Sequence, residues 1–257
     1  MWQDVKMLNA ITNALLGLVL LTWLASGLWW LAQWPIFALK TIRVEGMAEE
    51  PLHRVNRLTI RAGAVPRIKG SFFTADLDAA RAAFESVPWV RKATVRREWP
   101  DKLIVMIEEH RALGTWGDDG RLLSVKGDVF TANLAEAEDD GELLKFNGPE
   151  GSEQDVVAYY RRFCDWLAPI EVMPETVVLS NRYAWTIKLD NGMTMELGRA
   201  ESDAALKERI DRLVAVYPQL MEGLKGKKIE HVDMRYPNGL ALKVDGLLPV
   251  ASSGKKK

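Results

Sequence analysis

Residues able to carry covalent or metal chemistry are few in this sequence, and they do not fall at the spacings such chemistry needs. His53, His110 and His231 sit in three separate stretches without ligand spacing, and Cys164 is the one cysteine, so neither a zinc site nor an internal disulfide is expected. Ser124-Val125-Lys126 could act as a serine–lysine nucleophile pair in a membrane-anchored hydrolase, but Lys126-Gly127-Asp128 reads as an exposed turn after a strand. Gly223 to Lys228 has the glycines and lysines of a phosphate cradle without the following hydroxyl or the preceding buried strand. G-x-x-x-x-G-K-[ST], G-x-G-x-x-G, H-E-x-x-H and G-x-S-x-G are all absent. The expectation is a binding protein and not an enzyme, with no cofactor, metal or small-molecule substrate.

Ten tryptophans could suggest a carbohydrate platform, but Trp23, Trp29, Trp30 and Trp34 gather at one end of an apolar run. Trp89, Trp99, Trp116, Trp166 and Trp185 are scattered over different elements, where aromatic rings ordinarily serve as core. Charge offers no partner either. Setting aside Asp4 and Lys6 leaves 33 basic against 34 acidic residues, so nothing implies binding to nucleic acid.

The elements that must position a binding surface are readable from period. Met7 to Leu39 holds no charged residue, and its densest part, Leu15 to Leu31, is broken only by Thr22 and Ser26. Roughly 20 apolar residues at about 1.5 Å each cross a bilayer, so residues 10–34 are expected to form one transmembrane helix behind a short tail, 1–9. The tryptophans mark the exit and Pro35 ends the run. A cleaved signal is disfavoured by the length of the apolar core and by the lack of an A-x-A site. Counting Lys40, Arg43, Arg54 and Arg57 after the span would place the body in the cytoplasm, but the positive-inside rule weakens for long domains.

Behind the anchor, Leu39 to Gly46 alternates as a half-buried strand, Pro51 to Ile60 suggests a short helix, and Asp76 caps a second helix with Leu77, Ala80, Phe84 and Val87 on one face. Trp89 to Arg97 and Lys102 to Glu109 follow as strands around the turn Glu98-Trp99-Pro100-Asp101. This β-α-α-β-β unit spans 38–110 and is an α+β domain. Residues 111–245 change to short strands at 112–117, 121–125, 176–180, 185–189 and 193–197, with helices at 153–167 and 202–221. These form a β-rich domain with an antiparallel sheet and flanking helices. Its last hairpin pairs Ile229 to Arg235 with Leu240 to Val244 around Tyr236-Pro237-Asn238-Gly239. Residues 246–257 read as a flexible tail.

In that frame the run VPWVRKATVRREWPDKL, Val87 to Leu103, resembles the POTRA domain of the FtsQ/DivIB family of bacterial cell-division proteins. Gly148-Pro149-Glu150-Gly151, Trp185 to Arg199, Arg212 to Leu220 and Val232-Asp233-Met234-Arg235-Tyr236 resemble the family's β domain, in its order. Ala112 and Leu143-Leu144 depart from it, standing where the family has Pro and Leu-Pro, and the N-terminal tail is shorter. The resemblance implies a non-enzymatic divisome scaffold in the cell inner membrane, with its N-terminus cytoplasmic, its body periplasmic and its location the division septum. It further implies that the β domain binds FtsB and FtsL, that the POTRA domain meets other divisome proteins, and that Arg235, Tyr236, Asn238 and Gly239 contact FtsB. A POTRA-bearing chaperone or transport component of the envelope is the alternative, although such proteins continue into a barrel or carry several POTRA units.

Overall fold

The computed structural model describes residues 5–32, 34, 37–47, 51–199, 202–224, 226–236 and 239–245. It divides into two compact units, Met1–His110 and Arg111–Lys257.

The first unit opens with helix α1, Val5–Ala32. Its described side chains from Met7 to Trp30 are exposed all round, so no stripe faces a protein core, as a single bilayer-spanning helix requires. Its threonines hide their hydroxyls: Thr12 donates to Leu8 O (2.8 Å), and Thr22 to Leu18 O (2.9 Å) and Val19 O (2.8 Å). In hydrocarbon those bonds replace the water the hydroxyls would lack.

The rest of the unit has the order β1 (Thr41–Gly46), α2 (Arg57–Gly63), α3 (Leu77–Glu85), β2 (Val90–Glu98) and β3 (Lys102–Glu109). The sheet runs β1-β3-β2, with β1 parallel to β3 from Thr41↔Lys102 to Gly46↔Ile107 and β2 antiparallel to it. Asp76 caps α3 by accepting from the amides of Asp78 and Ala79, and Ala80, Phe84 and Val87 are buried together with Leu103, Val105 and Ile107. The first helix departs from the sequence expectation, starting at Arg57 and not Pro51. The Asn56 side chain caps it, while the amides of His53, Arg54 and Val55 all donate to the Glu109 carboxylate at the far end of β3, at 2.9, 3.0 and 2.6 Å. A charged acceptor 54 to 56 positions away holds the segment extended, which no local pattern announces. Trp99 departs too: it sits in the β2–β3 turn beyond the alternation of either strand and is 72% exposed, not core.

The second unit is built on nine strands: β4 (Ala112–Trp116), β5 (Arg121–Ser124), β6 (Val129–Phe130), β7 (Leu144–Asn147), β8 (Pro174–Leu179), β9 (Ala184–Leu189), β10 (Thr194–Arg199), β11 (Ile229–Asp233) and β12 (Ala241–Val244). Three helices interleave with them: α4 (Leu134–Glu138), α5 (Glu153–Leu167) and α6 (Asp203–Leu224). The spatial order is β12-β11-β10-β9-β8-β7-β4-β5-β6. Most pairs are antiparallel as expected, but β4–β7, β7–β8 and β10–β11 are parallel, so the sheet is mixed. Parallel neighbours need a long crossover, and α5 and α6 supply two of them.

β7 had no counterpart in the sequence reading. Sixth of the nine strands in that order, it lies so close to β4 that a Cβ on Gly114 would stand 2.1 Å from Leu144 O. Val156, Phe163 and Leu167 of α5 and Leu206, Ile210 and Leu213 of α6 form one core with Phe146, Trp185, Ile187, Met195 and Val232 of the sheet.

Candidate functional site

The final hairpin forms one end of the nine-stranded sheet, β6 forming the other: β12 has β11 on one side and no strand on the other among the described residues. Its register runs Asp233↔Ala241, Val232↔Leu242, His231↔Lys243 and Ile229↔Val244, with a bulge between Ile229 and His231. The Asp245 amide donates to Lys228 O (3.0 Å), so by strand alternation Leu242 and Val244 aim their N–H and C=O groups away from β11. The Met234 amide, donating to Glu196 O (2.9 Å), fixes the same phase from the other side, since Val232 opposite Leu242 then directs its main-chain groups at β10. Main-chain donors and acceptors without a strand partner among the described residues thus line an edge that another chain can extend.

Side chains give that edge two characters. On the core face Leu242 stands opposite the fully buried Val232, yet is itself 36% exposed, and Tyr236 is 58% exposed beyond the strand end. On the outer face Lys243 pairs with Glu230 (2.6 Å), which holds its ammonium above the usual lysine range. Apolar area without cover beside a row of free amides is the chemistry of a strand-accepting surface.

Arg235 is not a vacant cation. Its backbone amide and Nε both donate to Asp233 Oδ1 (3.0 and 2.9 Å), its Nη2 donates to Asp233 Oδ2 (2.6 Å), and Glu196 lies 3.3 Å from the same nitrogen. The Arg235 hydrogen bond holds the buried Asp233 carboxyl below its ordinary pKa, and Asp233 in turn raises that of Arg235. Gly198 makes this fold-back possible: its φ is +71°, and a Cβ there would sit 2.8 Å from Arg235 Cγ. Helix α6 pins the frame, with Arg209 donating to the carbonyls of Leu197 and Arg199 and Arg212 Nη1 donating to Tyr236 O (3.0 Å).

Of the four residues singled out by resemblance, Arg235 and Tyr236 lie at the end of β11 and Gly239 leads into β12, where an added Cβ would meet open space. Asn238 lies outside the described residues. Asp233, Glu196, Gly198 and Arg212, none of them marked as a contact by the sequence, set how Arg235 and Tyr236 are presented. Gly198, directly after the strand expected at 193–197 and inside the observed β10, is the available signal for one of them. Among the described residues no three His, Cys, Asp or Glu side chains gather as metal ligands; His53 and His110 belong to the first unit, and His231 of the second lies next to Glu196. Ser124 is buried, its oxygen accepting from the amides of Lys126 (3.2 Å) and Asp128 (3.0 Å) as a turn support.

Comparison with known proteins covers both units. A family model described as "POTRA domain, FtsQ-type" matches residues 37–110, and one described as "Cell division protein FtsQ/DivIB, C-terminal" matches residues 114–235. The chain is 51% identical over 257 residues to the cell division protein FtsQ of Burkholderia pseudomallei, covering 100% of both sequences. It is 41% identical over 267 residues to that of Bordetella pertussis, covering 100% of this chain and 97% of the relative. To that of Vibrio cholerae it is 33% identical over 193 residues, 74% of this chain and 70% of the relative.

Proposed function

Because the chain belongs to the FtsQ/DivIB family of bacterial cell-division proteins, we propose that it acts as a non-enzymatic scaffold of the division machinery, capturing the FtsB–FtsL pair along β12. The observation that carries this reading is the outward phase of Leu242 and Val244 on an uncovered sheet edge. A partner segment adding there gains main-chain hydrogen bonds, with Leu242 and Tyr236 as apolar contacts. Arg235 contributes by holding the strand end through Asp233 and Glu196, and a partner carboxylate would share a guanidinium already engaged. Arg235, Tyr236, Asn238 and Gly239 are the proposed contact set.

A role in cell division follows from the family, and α1 is the single helix among the described residues that is long and apolar enough to cross a membrane. In the proposed orientation the N-terminus is cytoplasmic and the body periplasmic, in domains spanning 38–110 and 111–245. The protein gathers at the septum, where FtsB and FtsL act with it and the POTRA domain receives further divisome partners. Depletion should leave cells growing as undivided filaments; cells that divide normally overturn the scaffold reading. Tyr236→Ala should lower FtsB co-purification at unchanged melting temperature, and full recovery of FtsB removes Tyr236 from the contact.

A further inference from the structure

Two exposed aromatic rings lie at the end of the POTRA sheet where the chain arrives from α1. β1 and β3 begin at that end and β2 finishes there, as Thr41↔Lys102 and Glu98↔Lys102 show. Trp99 projects from the β2–β3 turn, and Phe73, 51% exposed, from the loop before α3. Both are tied to the membrane exit by short, bonded paths. The Phe37 amide donates to Trp34 O (3.0 Å), a turn that brings the two Cα atoms within about 7 Å of each other. The Phe37 and Phe73 ring centroids are 5.0 Å apart, and the Phe72 amide donates to Phe37 O (2.8 Å). Lys40, six residues from Trp34, holds the other tip: its amide donates to Asp101 O (3.0 Å) and its Nζ lies 3.3 Å from the Asp101 carboxylate. Six extended residues reach at most about 20 Å, so Trp99 cannot stray far from the exit tryptophans.

We propose that Phe73 and Trp99 form a second membrane contact, lodging in the headgroup boundary of the same bilayer that α1 crosses and so fixing the POTRA domain against the lipid surface. The proposal rests on α1 being membrane-embedded. The chemistry is that of amphipathic rings at an interface. Charge contributes little, since Lys40 is paired with Asp101 and Lys102 lies 4.0 Å from Glu98, so zwitterionic lipid suffices. A lipid surface fits better than a protein groove, because the two rings sit on separate loops whose shared feature is closeness to the span.

The full chain carrying Cys164→Ala, placed in phosphatidylcholine nanodiscs, receives one nitroxide label at a time through Phe73→Cys, Trp99→Cys, Leu20→Cys or Leu58→Cys. Leu20 lies within α1, and exposed Leu58 lies on α2 near the Glu109 end of β3, remote from the turn. Relaxation by dissolved oxygen is expected to exceed that by a water-soluble nickel chelate at least twofold at 73 and 99, strongly at 20, and the reverse at 58. Labels at 73 and 99 that match 58 while 20 stays lipid-embedded overturn the second contact and leave the anchor standing. Nickel access at 20 overturns the anchor and the contact together. Labels at 73 and 99 shielded from both reagents overturn the proposal in favour of protein cover. To read the native rings, a label at Lys102→Cys should gain nickel access when Phe73→Ser and Trp99→Ser are added, and unchanged access overturns the proposal equally.

Discussion

Replacing Leu242 with proline isolates the main-chain part of the proposed capture. Leu242 directs its N–H to the open edge, so proline there removes no hydrogen bond to β11, and edge positions of this phase tolerate it. A strand laid along Leu242 and Val244 can make up to four main-chain hydrogen bonds, each worth about 0.5–1.5 kcal/mol net. Proline deletes one donor, and its ring fills the approach to the neighbouring carbonyl, so two of those bonds, about 1–3 kcal/mol of binding, should vanish. At about 1.4 kcal/mol per decade, this is a roughly 5- to 150-fold rise in Kd, on top of the loss of the leucine side chain.

Leu242→Ala is the matched control, since it keeps the amide and trims a side chain already one-third exposed. It should weaken binding no more than about fivefold, or about 1 kcal/mol, on apolar area. Calorimetric titration of FtsB–FtsL into the detergent-solubilised full chain gives both constants, and thermal unfolding checks that each variant keeps its melting temperature. Equal losses in Pro and Ala would place the affinity in the side chain, and wild-type affinity in Leu242→Pro would refute strand addition at β12.

Three further outcomes are expected. Gly198→Ala forces a side chain into a left-handed conformation at about 1–2 kcal/mol and pushes its Cβ against Arg235, so a lower melting temperature and weaker FtsB capture should appear together in thermal and binding assays. The folded-state pKa of Asp233 is depressed, so its stabilising effect is complete above the unfolded value of about 3.9 and fades as pH falls through the lower folded value. Urea midpoints of Asp233→Asn should therefore be lower than wild type at neutral pH and converge with it on acidification below pH about 4. Glu109→Ala strips the acceptor from three consecutive amides and should cost the POTRA domain about 2–3 kcal/mol, read as a lower denaturant midpoint, with Glu109→Gln falling between.

Local period made the anchor, the β-α-α-β-β order, α3 with its Asp76 cap, and the final hairpin legible, because each is written in residues two to four positions apart. Alternation reports which face of a strand is buried and is silent about its neighbours. The three parallel pairings and the short β7 inside the sheet are therefore visible only in the fold. The same limit governs the binding edge. Tyr236 and Arg235 were marked by their place in a motif, but only the register with β10 and the clearance at Gly198 decide that Arg235 turns back onto Asp233 and Glu196. The sequence by itself determined that one long apolar helix precedes a β-α-α-β-β unit and a β-rich unit. The tertiary structure decided that β12 ends the sheet, which of its amides face outward, and that the Phe73 ring packs against Phe37 just after α1. Those properties depend on partners tens of residues apart, whose pairing is set by packing and not by any pattern along the chain.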